Sequence, residues 1–131
     1  MQTHIGQIAL LVNDYDEAIE YFVNVLQFSL VEDTILSDKK RWVVIEPRES
    51  NNQGCKLLLA KASNDNQLKY VGNQTGGRVF LFLYTSDIEK FHNNLIVNSV
   101  EIVNGPRIET YGKVLVFRDL YGNLWDLIQP S

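Results

Sequence analysis

Residues 118–130 read RDLYGNLWDLIQP, and the fold turns on how this stretch is read. Asp119 to Asn123 have the composition of a tight turn, with an aspartate to open it and Gly122 free to take a left-handed conformation. The run after it, LWDLIQ, is apolar enough for a buried strand, except that Asp126 stands in its middle. A carboxylate there is costly to bury unless it is paired, hydrogen-bonded or bound to a metal. Strand alternation puts Leu124, Asp126 and Ile128 on one face and Trp125 and Leu127 on the other. The two largest apolar groups then belong to a helix-covered core, and Asp126 faces away from it.

Working backwards, this strand closes a plan that the chain uses twice. RVFLFLYT (78–85) reads as a strand. Ser86 and Asp87 suit the cap of a helix, DIEKFHNNLIVNS, and strands are expected at 100–103, 113–119 and 124–129. The first half has the same order. IGQIALLV (5–12) is a strand, and Asp14 caps a helix whose buried face carries Ala18, Ile19, Phe22, Val23, Val25 and Leu26. Strands follow at 28–32, 41–46 and 55–62. Setting Asp14 over Asp87 superposes the helices, and after a small shift Lys56–Leu59 falls over Leu124–Leu127, so that Leu58 matches Asp126. The predicted organisation is one domain, 1–131, with a first module at about 5–62, a polar linker at 63–77 with room for one helical turn, and a second module at about 78–129. Two βαβββ modules each lay a sheet on a helix, and their other faces are expected to curl into a shared cup. The fold class is α+β.

Composition narrows the function. The 131 residues suit a single domain with a core, 45% hydrophobic and 21% charged. A net charge of -4 argues against nucleic acid or an anionic membrane as partner. No apolar run reaches the ~18–20 residues needed to cross a bilayer, and the start, MQTHIGQ, lacks a signal-peptide pattern. Cys55 is the single cysteine, so no internal disulfide forms and a reducing, cytoplasmic setting is expected. A small molecule, or a second copy of the chain, is the expected partner.

With both motifs in view, IGQIALLVNDYDEAIEYFVNVLQFSLVED and DLYGNLWDLIQ resemble the vicinal oxygen chelate superfamily. Its members include glyoxalase I, extradiol dioxygenases, methylmalonyl-CoA epimerase, fosfomycin-resistance enzymes and bleomycin-resistance proteins. The likeness covers nearly the whole chain and is closest to unassigned glyoxalase/bleomycin-resistance-like proteins carrying GNQTGGRVFLFL. It implies a cup-shaped mixed sheet of paired βαβββ modules, and a homodimer. In metal-using members, four cup-facing positions hold a divalent ion such as Zn, Ni, Mn or Fe. Carried over, they fall on Gln7, Leu58, Phe80 and Asp126. Two of these are hydrocarbon, and a slip of one residue brings in only Leu57, Leu59, Val79 or Leu81. A catalytic zinc needs about three protein ligands. The expectation is therefore a cup that binds a small, mainly apolar molecule without the metal.

Gln7 and Asp126 are expected to converge across that cup, with Leu58, Arg78, Phe80 and Phe82 along its walls and Tyr111 at its rim. Arg107 sits in a proline-bearing loop, NGPRIET, placed to cover the mouth. Trp42, Tyr70 and Phe117 are further aromatic residues near cup edges or in the core. Asp126 is the candidate catalytic group, since burial raises a carboxyl pKa into the range useful for acid–base work. Two enzyme readings stand beside the binding one. They are a metal-dependent lyase, isomerase or dioxygenase using Gln7 and Asp126, and a metal-free acid–base enzyme using Asp126. His4, His92 and Cys55 carry no chemistry of their own in this reading, and Gly76-Gly77 are expected to relieve backbone crowding.

Overall fold

The computed structural model describes residues 1–131. The chain divides into two compact units, Met1–Lys69 and Tyr70–Ser131. No helix is long and apolar enough to cross a membrane.

In the first unit, β1 (Gln7–Val12) leads into α1 (Tyr15–Glu20), which continues as a π-helical turn over Tyr21–Val25. The Asp14 side chain caps α1, accepting a hydrogen bond from the Glu17 amide at 2.9 Å. Three strands follow, β2 (Phe28–Ile35), β3 (Arg41–Pro47) and β4 (Lys56–Lys61), and the sheet order is β1-β4-β3-β2. β1 and β4 run parallel, and the remaining pairs are antiparallel. Leu10, Val12, Val43, Ile45, Leu57 and Leu59 fill the buried face with Ala18, Phe22 and Leu26 of the helical segment. Tyr15 marks which face the helix covers, because its hydroxyl accepts a hydrogen bond from the Arg41 amide on β3.

The second unit repeats the order. A short helix, α2 (Asp65–Leu68), capped by Asn64, precedes it in the segment read as a linker. Then come β5 (Val79–Tyr84), α3 (Ile88–Val97), β6 (Ile102–Glu109), β7 (Gly112–Arg118) and β8 (Leu124–Pro130), with sheet order β5-β8-β7-β6. Asp87 caps α3 by accepting from the Lys90 amide. The start of α3 is also pinned from the sheet, since the Ile88 amide donates to Gln129 Oε1 at 2.9 Å. Gln129 shares its side of β8 with Trp125 and Leu127, so these two lie under α3 as alternation predicts. Trp125 stacks on Phe117, with ring centroids 5.8 Å apart.

Two local expectations are corrected. NGPRIET is not a loop, because residues 104–109 belong to β6. That strand is at the sheet edge, where proline's missing N–H breaks no ladder, and register shifts at Asn104 and Arg107 absorb the Gly105-Pro106 pair. Gly76 and Gly77 do not relieve crowding either, for a Cβ at either would meet open space. Their φ values of 68° and 105° are what call for glycine. The crowded glycine is Gly72, where a Cβ would run into the Tyr121 carbonyl.

Candidate functional site

The turn before β8 is built around Asp119. One carboxylate oxygen accepts from the Tyr121, Gly122 and Asn123 amides, each at 3.0 Å. The other accepts from Asn123 Nδ2 at 3.0 Å and Trp125 Nε1 at 2.9 Å. Five donors satisfy a buried charge, which is how such a group is tolerated. Asp119 thereby locks the entry to β8 and sets the facing of Asp126. The sequence signal for this role is the spacing of Asp119, Gly122, Asn123 and Trp125, which turn chemistry alone read only as a tight turn.

Asp126 differs in every respect. It is half-buried, and no side-chain or backbone donor within the chain reaches its carboxylate. Burial raises its pKa above the ordinary value, and the Arg107 charge opposes part of that rise. Its strand neighbours are Phe82 on β5 and Val116 on β7. Phe82 is 57% exposed and Tyr84, one step along the same face, 65%. A carboxylate without a partner thus stands between an exposed aromatic ring and an aliphatic side chain.

Register decides which predicted residues meet. Val79 pairs with Leu124, but Leu81 pairs with Trp125, so β5 carries a bulge at Phe80. A bulge interrupts alternation. Phe82 therefore stands beside Asp126, while the alternation expected to carry Arg78 and Phe80 to the same wall stops short. Arg78 lies instead at the strand's entrance, in a cavity of about 360 Å³ that also takes in Arg118 and Leu124. Tyr111 is exposed and interacts with Arg107. Arg107 also donates to Glu109 Oε1 at 2.9 Å and Asn104 Oδ1 at 2.7 Å. Glu109 first, and then Tyr111, hold its guanidinium more firmly charged. Reading 104–110 as a loop hid this cluster, because its residues share a face only once they are in a strand.

In the first unit, Gln7 pairs with Lys56, and Leu58 sits between Ala9 and Val44. All five lie on the face away from α1. Lys56 in turn reaches Glu46 at 3.8 Å. Sequence reasoning overlooked Lys56 and Glu46, although their parity with Gln7 and Leu58 was available from the strand pattern. Trp42 shares that face, Phe117 is buried in the core of the second unit, and Tyr70 is exposed in the segment before β5.

Each unit's sheet is thus a four-stranded βαβββ arrangement with one helix-covered face and one face bearing the unusual residues. A family model for the Glyoxalase/Bleomycin resistance protein/Dioxygenase superfamily matches residues 4–127, and the chain belongs to that superfamily. It is similar to an uncharacterized protein of Shewanella frigidimarina (strain NCIMB 400), 52% identical over 130 residues and covering 98% of this chain and 95% of that one. Among solved structures, TnmS3, an antibiotic binding protein from Streptomyces sp. CB03234, matches with a TM-score of 0.76 and 23% identity, covering 99% of this chain and 98% of that one. A superfamily member from Sphaerobacter thermophilus DSM 20745 matches at 0.78 and 23%, covering 98% of each chain. At that identity these structures show the fold, which is the glyoxalase/bleomycin-resistance fold expected from the two motifs.

The superfamily raises the question of a divalent metal. Gln7 offers one neutral oxygen and Asp126 one carboxylate, whereas Leu58, Phe80 and the actual neighbour Phe82 offer hydrocarbon. No three His, Cys, Asp or Glu side chains gather anywhere in a group able to hold a metal. Beside Gln7 stands a cation, Lys56, which repels a divalent ion. These residues do not fit a catalytic divalent metal.

Proposed function

We propose that the chain binds a small, mainly apolar molecule on the β5-β8-β7 face of its second module, without a divalent metal. Asp126 holds a polar group of that ligand. The observation that carries this reading is the unpartnered, half-buried Asp126 carboxylate between Phe82 and Val116. Aromatic and aliphatic walls with few, well-placed polar groups are the usual make-up of a small-molecule site. The antibiotic-binding role printed for TnmS3 belongs to that protein, and it is in keeping with this reading. Self-association into a homodimer is part of the proposal, on family grounds, and sedimentation velocity tests it.

A second reading rests on the raised pKa of Asp126. A metal-free enzyme would use that carboxyl as general acid or base. The two are separated with one variant, once a ligand is found. Asp126→Asn should weaken binding if the carboxylate is an anchor, but abolish turnover with binding retained if it is the acid or base. The first test is simpler. Amide NMR spectra recorded during titration with 2-naphthol should shift at Phe82, Val116 and Asp126, and elemental analysis should find metal far below one ion per chain. Near-stoichiometric metal lost in Asp126→Asn overturns the reading.

A further inference from the structure

The entrance of β5 and β8 holds a second feature, about one pleat from Asp126. Leu124 shares the Asp126 face two residues earlier, roughly 7 Å along the strand. It lines the 360 Å³ cavity together with Arg78, Arg118, Thr75 and Gly77. The two arginines are not equivalent. Arg118 is already held, its Nε donating to Glu101 at 3.1 Å and its Nη1 to the Gly122 carbonyl at 3.3 Å. Arg78 is exposed, and its guanidinium has no partner in the chain. The nearby Asp119 carboxylate is spent on its five donors, and Glu101 is spent on Arg118. A cavity lined by two arginines, one with its guanidinium unpaired, is a setting for a planar or tetrahedral oxyanion, which arginine recognises through paired N–H donors.

The backbone around the cavity is shaped for this close approach. Gly72, at φ 80°, lets the chain pass the Tyr121 carbonyl where any Cβ would collide. The Thr75 hydroxyl donates to the Arg78 carbonyl, tying the loop to the start of β5. At Gly72 the loop is therefore built against the same turn that Asp119 holds, and it ends at Arg78, in the cavity that Arg118 also lines.

We propose that this cavity takes the carboxylate or phosphate end of an amphiphilic small molecule, whose apolar part lies over Leu124 and Phe82 and whose far end donates a hydrogen bond to Asp126. For the apolar part and the far end, the proposal rests on the binding reading above, whereas the anion site stands on its own residues. Charge sets the direction of the ligand. Asp126 repels an anion laid upon it, and Arg107, whose charge reaches Asp126, is already held by Glu109, whereas Arg78 is unpaired, so the negative end goes to the β-strand entrance. The ligand class is an aromatic or alicyclic acid, or phosphate ester, with a hydroxyl or amino group some 7 Å from the charge.

The test titrates amide NMR spectra with 4-hydroxybenzoate, its neutral counterpart 4-hydroxybenzamide, and inorganic phosphate. The expected result is that 4-hydroxybenzoate shifts Gly77, Leu124 and Phe82 and binds at least about tenfold more tightly than the amide, the value of one charge-assisted contact. Arg78→Gln should abolish that advantage without moving the melting temperature, and Arg78→Lys should restore part of it. Phosphate that displaces the loop shifts marks a phosphate site, and its failure to compete marks a carboxylate site. Equal affinity of acid and amide, or an acid affinity untouched by Arg78→Gln, overturns the anion site. If the amide still shifts Phe82 and Asp126 in that case, the binding reading survives alone. If phosphate shifts Gly77 and Leu124 in an Arg78-dependent way but neither aromatic probe reaches Phe82, the anion site survives and the binding reading falls.

Discussion

The two modules share a topology and differ in one row of side chains. In the first, the middle row across three strands is Ala9, Leu58 and Val44, all hydrocarbon. In the second, the matching row is Phe82, Asp126 and Val116. One plan has thus been given an inert row and a row with an unpaired carboxylate. A helix-covered face must be apolar for the module to fold, but the other face is free to vary, and the difference between the copies is concentrated there. The connections into the last strands differ too. Before β8, Asp119 gathers the donors of a five-residue turn. The longer connection before β4 has no such carboxylate. Its start is tied by Arg48, which donates to the Val23 carbonyl at 3.0 Å, the Phe28 carbonyl at 3.3 Å and Gln27 Oε1 at 2.7 Å.

The largest effect expected is at Asp119. Asp119→Ala takes the carboxylate from the part-buried Tyr121 amide and from the buried Asn123 amide, Asn123 side chain and Trp125 indole N–H, leaving the Gly122 amide its bond to the residue-119 carbonyl, and should cost about 3–5 kcal/mol by urea denaturation. The loss should come with red-shifted Trp125 emission as its stacking on Phe117 loosens and water reaches the buried ring. A cost below about 1 kcal/mol would mean that the turn holds itself, and the contrast between the two connections would lose its meaning.

Next comes an exchange across the matching row. Leu58→Asp gives the first module the second one's carboxylate and should destabilise by about 2 kcal/mol, since its strand neighbours Ala9 and Val44 offer it only hydrocarbon. Asp126→Leu, the reverse change, should stabilise modestly, by about 1 kcal/mol, because it removes a charge that burial disfavours. If both changes destabilise alike, Asp126 has a structural role and is not held in reserve for a ligand. Arg48→Ala ranks below these, at about 0.5 kcal/mol, because the side chain is exposed and its hydrogen bonds compete with water.

The contrast also shows where sequence could be read and where it could not. Caps and periodicity placed Asp14, Asp87, both main helices and the under-helix position of Trp125 and Leu127, because these depend on local chemistry and a fixed repeat. The facing of Asp126 followed from the same alternation. What escaped was whatever depends on register. A single-residue bulge at Phe80 is invisible in RVFLFLYT, every residue of which but Arg78 and Thr85 is apolar, yet it decides that Phe82 and not Phe80 stands beside Asp126. Pro106 made an edge strand look like a loop, which concealed Arg107, Glu109 and Asn104 as one cluster. Lys56 beside Gln7 was missed for the opposite reason. It lay in plain view at a strand start, but its importance comes from the parallel pairing of β1 with β4, a contact between residues almost 50 positions apart.

The smallest effect is the sharpest division between the modules, because it changes sign. In the first, Arg41 lowers the pKa of Asp33, chiefly through their hydrogen bonds, from the ordinary value of 3.8. An acid whose folded pKa is depressed adds stability above its unfolded pKa, and that stability is lost as pH falls through the folded value. In the second, the folded pKa of Asp126 is raised above 3.8. Its contribution is fully present below the unfolded pKa and disappears as pH rises through the raised folded value. Between these limits the two carboxylates oppose one another, and the wild-type stability curve partly conceals both. Single variants uncover them. Asp126→Asn should make stability rise more steeply as pH goes from about 3.8 upward, whereas Asp33→Asn should flatten the loss on acidification below 3.8. Chemical denaturation of each variant across that range, at low and high salt, checks the assignment. Salt should weaken the exposed Asp33–Arg41 part and spare most of the Asp126 part, which arises from burial more than from a neighbouring charge.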